Sequence, residues 1–300
     1  MITFKQIDAL YWIVQLGGFE AAAAKLHMSQ SAISKRIQEL EETFNIEIFD
    51  RTRRNARLTE KGGELLDYAK DLLERRDYLL ERVSSKEVLV RHFRLGVTEL
   101  TAMTWLPALV EEIRQTYPRV QIEPSVELST VLFEKLEHDL LDLIIVPEVF
   151  NDPRFISTPL DGVENAWMCS PGLATGEGPI SLTDITQYPL LMQGSHSGTG
   201  LMYGRWLNSQ AIPTPKTIVS NNLLAQIGLA IAGLGVSYLP KQCLSYLRER
   251  NLLRIIETTP SLPEVQYIAL HRSDRQLGLS PDVAQLAQKC CDFSRLVLGG

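Results

Sequence analysis

Residues 19–62 read FEAAAAKLHMSQSAISKRIQELEETFNIEIFDRTRRNARLTEKG, and the amino-terminal fold turns on how this stretch is divided. Phe19 to Leu26 predicts a short helix whose run Ala21-Ala22-Ala23-Ala24 lets a neighbouring backbone approach closely. His27-Met28 then makes a tight connection to Ser29, a good N-cap because its hydroxyl can accept from a first-turn N–H. A third helix runs from about Gln30 to Thr43. Ile33, Ile37, Leu40 and Phe44 repeat at helical spacing and are expected to pack inward. Gln30, Ser31, Ser34, Lys35 and Gln38 fall near the other side. Short polar groups in the first turns are what a recognition helix brings to a major groove. Gln bonds adenine bidentately, Ser reaches either kind of base edge, and Lys meets guanine or phosphate. The same face would also suit an ordinary surface helix, so the next residues decide. Ile46, Ile48 and Phe49 read as a short strand, after which Arg51, Arg53, Arg54 and Arg57 fall within seven residues, ahead of Leu58-Thr59. A hairpin tip this basic, directly after a helix-turn-helix pattern, reads as a wing laid against phosphates.

Outward from that stretch, Phe4, Ile7, Tyr11 and Val14 mark a first helix that stops at Gly17-Gly18. On the other side, Thr59 to about Ser85 contains no Pro, and its only glycines, Gly62 and Gly63, lie near the start. Leu65, Ala69, Leu72, Arg76, Leu79 and Val83 step by four and three, as on a coiled-coil seam that Arg76 interrupts. Such a seam predicts dimerisation; the alternative is a helix packed on its own chain.

The 300 residues are 45% hydrophobic and 22% charged, with a formal charge of −6, which suits two or three ordinary globular domains and argues against disorder. Net charge is a whole-chain average, whereas DNA responds to the field of one face, so acidity does not exclude it. Met1 to Leu16 lacks the pattern of a secretory signal, and no apolar run reaches the ~20 residues of a membrane span. A cytoplasmic protein with no membrane association is therefore expected, with Cys169, Cys243, Cys290 and Cys291 as thiols. Adjacent Cys290 and Cys291 lack zinc-ribbon spacing, and nothing in the sequence calls for a metal or a cofactor.

After Lys86 strands and helices alternate. Strands are expected at 93–97, 120–126, 143–146, 166–169, 190–192, 217–219, 236–239 and 265–270, and helices at 102–117, 131–140, 201–210, 223–232 and 281–298. The β-α-β-α-β order argues for parallel sheet with right-handed crossovers. Two α/β lobes joined by crossing strands near Leu160 to Glu164 and near Glu264 would enclose a cleft, and in such sheets ligands sit beyond the carboxyl ends of the strands. Those ends carry Thr98 and Thr101, Ser129 and Thr130, and Ser197 and Thr199, beside Leu100. Hydroxyls at helix starts, with unpaired N–H groups, suit a small polar or anionic ligand; Ser and Thr are equally common as plain N-caps.

Taken together, residues 4–62 resemble the LysR-type transcriptional regulators through Ala22-Ala23-x-x-Leu26-x-x-Ser29-Gln30-Ser31-Ala32-Ile33-Ser34, Leu40-Glu41, Phe49-x-Arg51 and Leu58-Thr59-x-x-Gly62. Residues 92–298 resemble the periplasmic-binding-protein-like effector domain of the same family, through Gly96, Leu106-Pro107, Tyr117-Pro118, Leu141-Asp142-Leu143, Ser197-Gly198-Thr199 and Ala232-Gly233-Leu234-Gly235. Three positions depart from the family pattern: Gly18 stands for a capping Ser, Ser31 for a Pro and Asn45 for a Gly. Asn tolerates a left-handed turn. The resemblance implies a winged helix-turn-helix over 1–60, a linker helix over 61–90 and an effector domain over 91–300, with lobe I at about 91–162 plus 267–300 and lobe II at about 163–266. It implies a homodimer, often a dimer of dimers, on a pseudo-palindromic double-stranded operator, with RNA polymerase a candidate partner. Effector contacts are implied at Thr98, Thr130, Gly198 and Thr199. Some relatives carry Arg where this chain has Pro147, so a bidentate carboxylate clamp is not available there, and Glu99 favours a neutral or amine-bearing ligand.

Catalytic motifs are absent. Gly233-Leu234-Gly235 lacks the third glycine of a dinucleotide fingerprint, and Gly194-Ser195-His196-Ser197-Gly198 places His where a nucleophile elbow needs Ser. A non-enzyme is expected. The alternatives are a transporter's solute-binding protein and a thiol-responsive regulator of the same fold.

Overall fold

The computed structural model describes residues 2–50, 57–83, 91–173, 178–213, 217–273 and 279–297. The chain divides into two compact units, Met1–Ser84 and Ser85–Gly300.

In the first unit, a Thr3/Gln6 capping box opens α1 (Phe4–Gln15), followed by α2 (Phe19–Lys25), α3 (Gln30–Phe44) and α4 (Glu60–Val83). Ile7, Leu10 and Ile13 of α1, Ala22 and Ala23 of α2, and Ile33, Ile37 and Leu40 of α3 form one core. Phe4 and Phe44 stand outside it, 47% and 41% exposed, although helical spacing placed Phe44 inward. On α3 the last buried positions are Leu40 and Glu41, and the helix ends at Asn45, which adopts the left-handed conformation (φ 53°) that Asn tolerates. Among the described residues, the strand expected at 46–49 reduces to a single antiparallel bridge between Phe49 and Leu58.

The apolar register of α4 is split. Ala69 is buried in the unit's own core together with Leu66 and Leu73, and Leu65 packs against it. Leu72 and Leu79 remain 44% and 62% exposed. The first half of the proposed seam therefore packs on its own chain, because α1 lies against that side of the helix.

The second unit holds two sheets. Lobe I contains β1 (Arg91–Val97), α5 (Glu99–Met103), α6 (Leu106–Thr116), β2 (Val120–Val126), α7 (Ser129–Glu137), β3 (Leu143–Pro147) and β4 (Phe155–Val163). Lobe II continues with β5 (Asn165–Cys169), β6 (Ile180–Ser181), a 3-10 turn at Leu182–Gln187, β7 (Leu190–Met192), α8 (Gly198–Ser209), β8 (Thr217–Val219), α9 (Leu223–Ile231), β9 (Val236–Pro240), α10 (Ser245–Glu249), β10 (Arg254–Ile256) and β11 (Thr258–Thr259). The chain then returns to lobe I through β12 (Val265–Arg272) and α11 (Leu279–Cys290). The two main sheets run β2-β1-β3-β12-β4 and β10-β5-β9-β7-β8.

Neither sheet is wholly parallel. β1 pairs parallel with β2 and β3, as the β-α-β-α-β order requires, but β12 inserts antiparallel between β3 and β4. In lobe II, β7 is parallel to β8 and β9, while β5 is antiparallel to β9 and β10. The antiparallel members are the strands adjoining the two crossings, which enter each sheet from the opposite lobe. All five residues of β3 are buried, since helices cover both faces of that sheet.

The helix expected at 102–117 is broken at Thr104-Trp105 into α5 and α6. Pro107 offers no N–H to the Met103 carbonyl and its ring would clash there, so the helix restarts with Pro in its first turn. The closing helix stops at Cys290 rather than near Leu298. Asp292 accepts from the N–H of Ser294 at 2.8 Å, a local bond that competes with helix, and Phe293 turns back onto Trp105 and Tyr267. Pro159 lies in the edge strand β4, where its pairing with Ile268 borders a shift of register against β12 between Gln266 and Ile268. No helix among the described residues is long and apolar enough to cross a membrane.

Candidate functional site

The first surface is the outer side of α3. Ser29 caps the helix, its Oγ accepting from Ala32 N at 3.2 Å. Ser31 places its hydroxyl 3.0 Å from that of Ser29, so the residue standing where relatives carry Pro extends the cap. Gln30, Ser31, Ser34, Lys35 and Gln38 are all exposed, while Ile33 and Ile37 lie in the core. No polar group needed for base contact is spent on the interior. Gln38 donates to Glu42 at 3.2 Å, on the solvent side.

Behind this face the wing is anchored by bonds that give the sequence motif a physical reason. Glu41, buried, accepts the N–H of Ile48 at 2.8 Å. Thr59 donates from Oγ1 to the Glu47 carbonyl at 2.6 Å and accepts from Gly62 N at 2.9 Å, capping α4. Gly62 must lack a side chain, because a Cβ there would sit 2.2 Å from the Ile48 carbonyl oxygen. Arg57 is exposed at the returning arm of the wing, and its carbonyl accepts from Asp50 N at 2.8 Å. Arg51, Arg53 and Arg54 lie outside the described residues.

The second site is a cavity of about 350 Å³ between the lobes. Both crossings contribute to its wall, through Val163 and Asn165 on one and Val265 and Tyr267 on the other. Of the residues singled out from sequence, Thr98, Glu99, Leu100, Ser129, Pro147, Ser197 and Thr199 line it. Thr101, Thr130 and Gly198 do not. Thr101 is fully buried, 3.4 Å from Thr98 through their hydroxyls. Thr130 bridges the lobes instead: its N–H donates to the His196 carbonyl at 3.2 Å, and its hydroxyl lies 3.2 Å from His196 Nδ1. Gly198 donates its N–H to Ser129 Oγ at 3.0 Å, and a Cβ there would press on Ser129 and Pro147. These residues set how the lobes meet.

Glu99 forms a third bridge. Its carboxylate in lobe I accepts from Leu223 N at 2.7 Å and Asn222 Nδ2 at 3.1 Å, at the start of α9 in lobe II. Ser197 caps α8 and donates to Gln193 Oε1, so its hydroxyl is not turned to His196, whose Nδ1 faces Thr130 instead.

Sequence reading missed Asn165, Gln193, Asn221, Asn222, Tyr238 and Tyr267. Asn222 carried a signal, an N-cap residue just before an apolar helix. The tyrosines carried none, since each sits in an apolar strand and reads as core. Burial pushes the Tyr267 phenol up to about 12, against the opposing effect of its bonds to Thr98 and Thr199. Burial likewise raises the Tyr238 phenol. Both stay protonated near neutral pH.

The comparisons with known proteins agree with this geometry. Residues 4–63 match the family model described as bacterial regulatory helix-turn-helix protein, lysR family, and residues 86–291 match the LysR substrate binding domain. The transcriptional regulator SoxR of an Arthrobacter species is 23% identical over 270 residues, covering 90% of this chain and 91% of that protein. The regulator YofA of Bacillus velezensis is 27% identical over 264 residues, covering 87% and 89%. Among solved structures, a full-length OxyR variant from Pseudomonas aeruginosa superposes with a TM-score of 0.71 at 21% identity, covering 98% of this chain and 97% of that one. LysG of Corynebacterium glutamicum, solved with bound effector Arg, superposes with a TM-score of 0.63 at 16% identity, covering 96% and 99%. The helix-turn-helix match sets aside a solute-binding protein. The chain belongs to the LysR family and is a transcriptional regulator that joins a DNA-binding helix-turn-helix to a two-lobed effector-binding domain.

Proposed function

We propose that α3 reads a major groove through Gln30, Ser31, Ser34, Lys35 and Gln38, that Arg51, Arg53, Arg54 and Arg57 hold the adjacent phosphates, and that a small molecule in the inter-lobe cavity controls this binding. The observation that carries the reading is the exposed polar side of α3 over an inner side of Ile33, Ile37 and Leu40, with Glu41 alone buried among them and spent on the Ile48 N–H. The protein acts as a homodimer, and as a dimer of dimers, on a pseudo-palindromic operator. Tyr68, Leu72 and Leu79 supply the dimer contact: they leave an apolar stripe on the outer side of α4, spaced by four and seven residues. Effector binding changes how the lobes meet at Ser129–Gly198, Thr130–His196 and Glu99–Leu223, a shift between two arrangements. RNA polymerase is the further partner of the DNA-bound form, in the cytoplasm, and the protein itself catalyses no reaction.

Thiol sensing is disfavoured. Burial pushes the Cys243 and Cys291 thiols up to about 12 and raises that of Cys290, which leaves little thiolate to react. Cys169 is fully buried. Electrophoretic retardation of a fragment from upstream of the gene tests the reading. Binding that weakens steeply between about 50 and 200 mM salt is expected; binding indifferent to salt contradicts it.

A further inference from the structure

Besides that of the five-residue α5, three helix starts meet the cavity or its rim, and each would ordinarily welcome an anion. At α9 that opportunity is closed. Asn222 caps the helix, with Oδ1 accepting from Ala225 N at 2.7 Å. Glu99, arriving from the other lobe, takes Leu223 N at 2.7 Å and reaches Leu224 N at 3.5 Å. Every N–H of the first turn of α9 is thus occupied by this chain's own side chains. At α8, Gly198 N is held by Ser129 and Gly200 N by Ser197. At α7, Thr130 N is held by the His196 carbonyl.

The ionisable side chains around the cavity sharpen the point. Its wall contains no Arg, Lys or His among the described residues, and its two carboxylates, Glu99 and Glu127, are both engaged. Glu99 faces the positive end of α9, and Glu127 accepts from Lys135 Nζ at 2.9 Å. A ligand anion would find no cation, and a ligand cation no unpaired carboxylate. The anion would be desolvated without compensation, and the cation would meet only carboxylates already held by Leu223 and Asn222 or by Lys135. What remains is neutral hydrogen-bonding chemistry: Thr98, Asn165, Gln193, Thr199 and Tyr267.

The geometry points to an uncharged effector rich in hydroxyl or amide groups, with Glu99 as the residue that excludes carboxylates by occupying the α9 start in their place. This rests on the inter-lobe cavity being the effector site. It narrows the alternatives the sequence left open, since an amine has no more claim on the paired Glu99 than an acid has on a filled helix start.

The test uses the full-length protein and three probe sets at constant ionic strength: neutral sugars and carboxamides, the carboxylates acetate, succinate and benzoate, and the amines putrescine and benzylamine. Melting temperature and calorimetric affinity are read on the unaltered protein, Glu99→Ala, Glu99→Gln and Gln193→Ala. A neutral probe should raise the melting temperature of the unaltered protein, and Gln193→Ala should abolish the rise. Benzoate should leave the unaltered protein unmoved and gain at least tenfold in affinity on Glu99→Ala. Glu99→Gln, with secondary structure checked by circular dichroism, is the second variant should Glu99→Ala not fold. It keeps the side chain's size and loses its charge, and should show a smaller gain in the same direction. A carboxylate or amine that binds the unaltered protein and is lost on Gln193→Ala overturns the ligand class while leaving the cavity as the effector site. No benzoate gain on either folded Glu99 variant overturns the role of Glu99. No shift from any probe set, with DNA retardation equally indifferent to all three, overturns the effector site itself.

Discussion

Arg76, the charged residue that interrupts the apolar register of α4, donates from Nη1 to both carboxylate oxygens of Asp8 on α1, at 3.0 Å each. Its guanidinium also lies 5.5 Å from the centre of the Phe4 ring. The interruption is thus a contact within the first unit, and it fixes the rotation of α4 so that Leu66, Ala69 and Leu73 face inward while Tyr68, Leu72 and Leu79 face out.

Asp8→Ala should lower the stability of the first unit by about 0.5–1 kcal/mol, the worth of an ion pair whose two side chains are each 26% exposed. Denaturant unfolding of the full chain, followed through Trp12, checks this. Leu72→Asp together with Leu79→Asp should instead leave that transition nearly unchanged and shift sedimentation toward monomer. A dimer that persists in the double variant places the dimer contact elsewhere.

Neighbouring glycines should respond with opposite signs. Gly62→Ala would drive a Cβ to within 2.2 Å of the Ile48 carbonyl oxygen, a backbone atom that cannot swing aside, and should cost ~1–3 kcal/mol or more. Gly63→Ala has open space around its Cβ within the same helix and should stabilise by roughly 0.5–1 kcal/mol through helix propensity. Urea midpoints for the two variants decide the matter. A loss on Gly63→Ala equal to that on Gly62→Ala would contradict assigning the cost at Gly62 to the Ile48 carbonyl, since helix propensity alone favours Ala at both.

Alkaline stability follows from the buried acids. Cys243 rises from 9.0 to about 12 and Tyr267 from 10.0 to about 12, both chiefly because burial disfavours the charged form. The native state holds these protons more tightly than the unfolded chain. Their contribution is therefore complete below about pH 9 and is lost as pH rises toward about 12. Unfolding midpoints should fall across that window, and Cys243→Ala should fall less steeply. A midpoint independent of pH across it would contradict the assigned burial.

The groove and phosphate roles should separate in binding data. Gln30→Ala and Ser34→Ala should reduce the preference for operator over random DNA by about 1–3 kcal/mol where a bidentate base contact is lost. Arg57→Ala should weaken both alike and lower the salt slope by about one unit. Equal losses on both DNAs for Gln30→Ala would contradict its role as a base reader.

Much of this was legible in the sequence because it is local. Ser29 as cap, Asn45 as left-handed exit and the inward row Ile33, Ile37, Leu40 depend on neighbours within a turn or two. The strand-and-helix succession of the second unit was readable for the same reason. What the sequence hid depends on distant partners. Ala69 and Leu72 carry the same apolar label, and only the position of α1 buries one and exposes the other. β12 inserts antiparallel between β3 and β4 from the far side of lobe II, so local order could not reveal it. Glu99 reads as a free acid until Leu223, more than a hundred residues on, supplies its N–H. Tyr238 and Tyr267 reach the cavity only because the crossing strands bring both lobes to it.

The central claim is that the outer side of α3 lies in the groove of a DNA duplex. A photo-crosslinking residue placed at Ser34 on the full-length protein tests it directly, with Glu20 on α2 as the reference position. Adducts from position 34 to operator bases, displaced by unlabelled operator and weaker from position 20, are the predicted result. A complex that forms on the operator yet yields no base adduct from position 34 would contradict it.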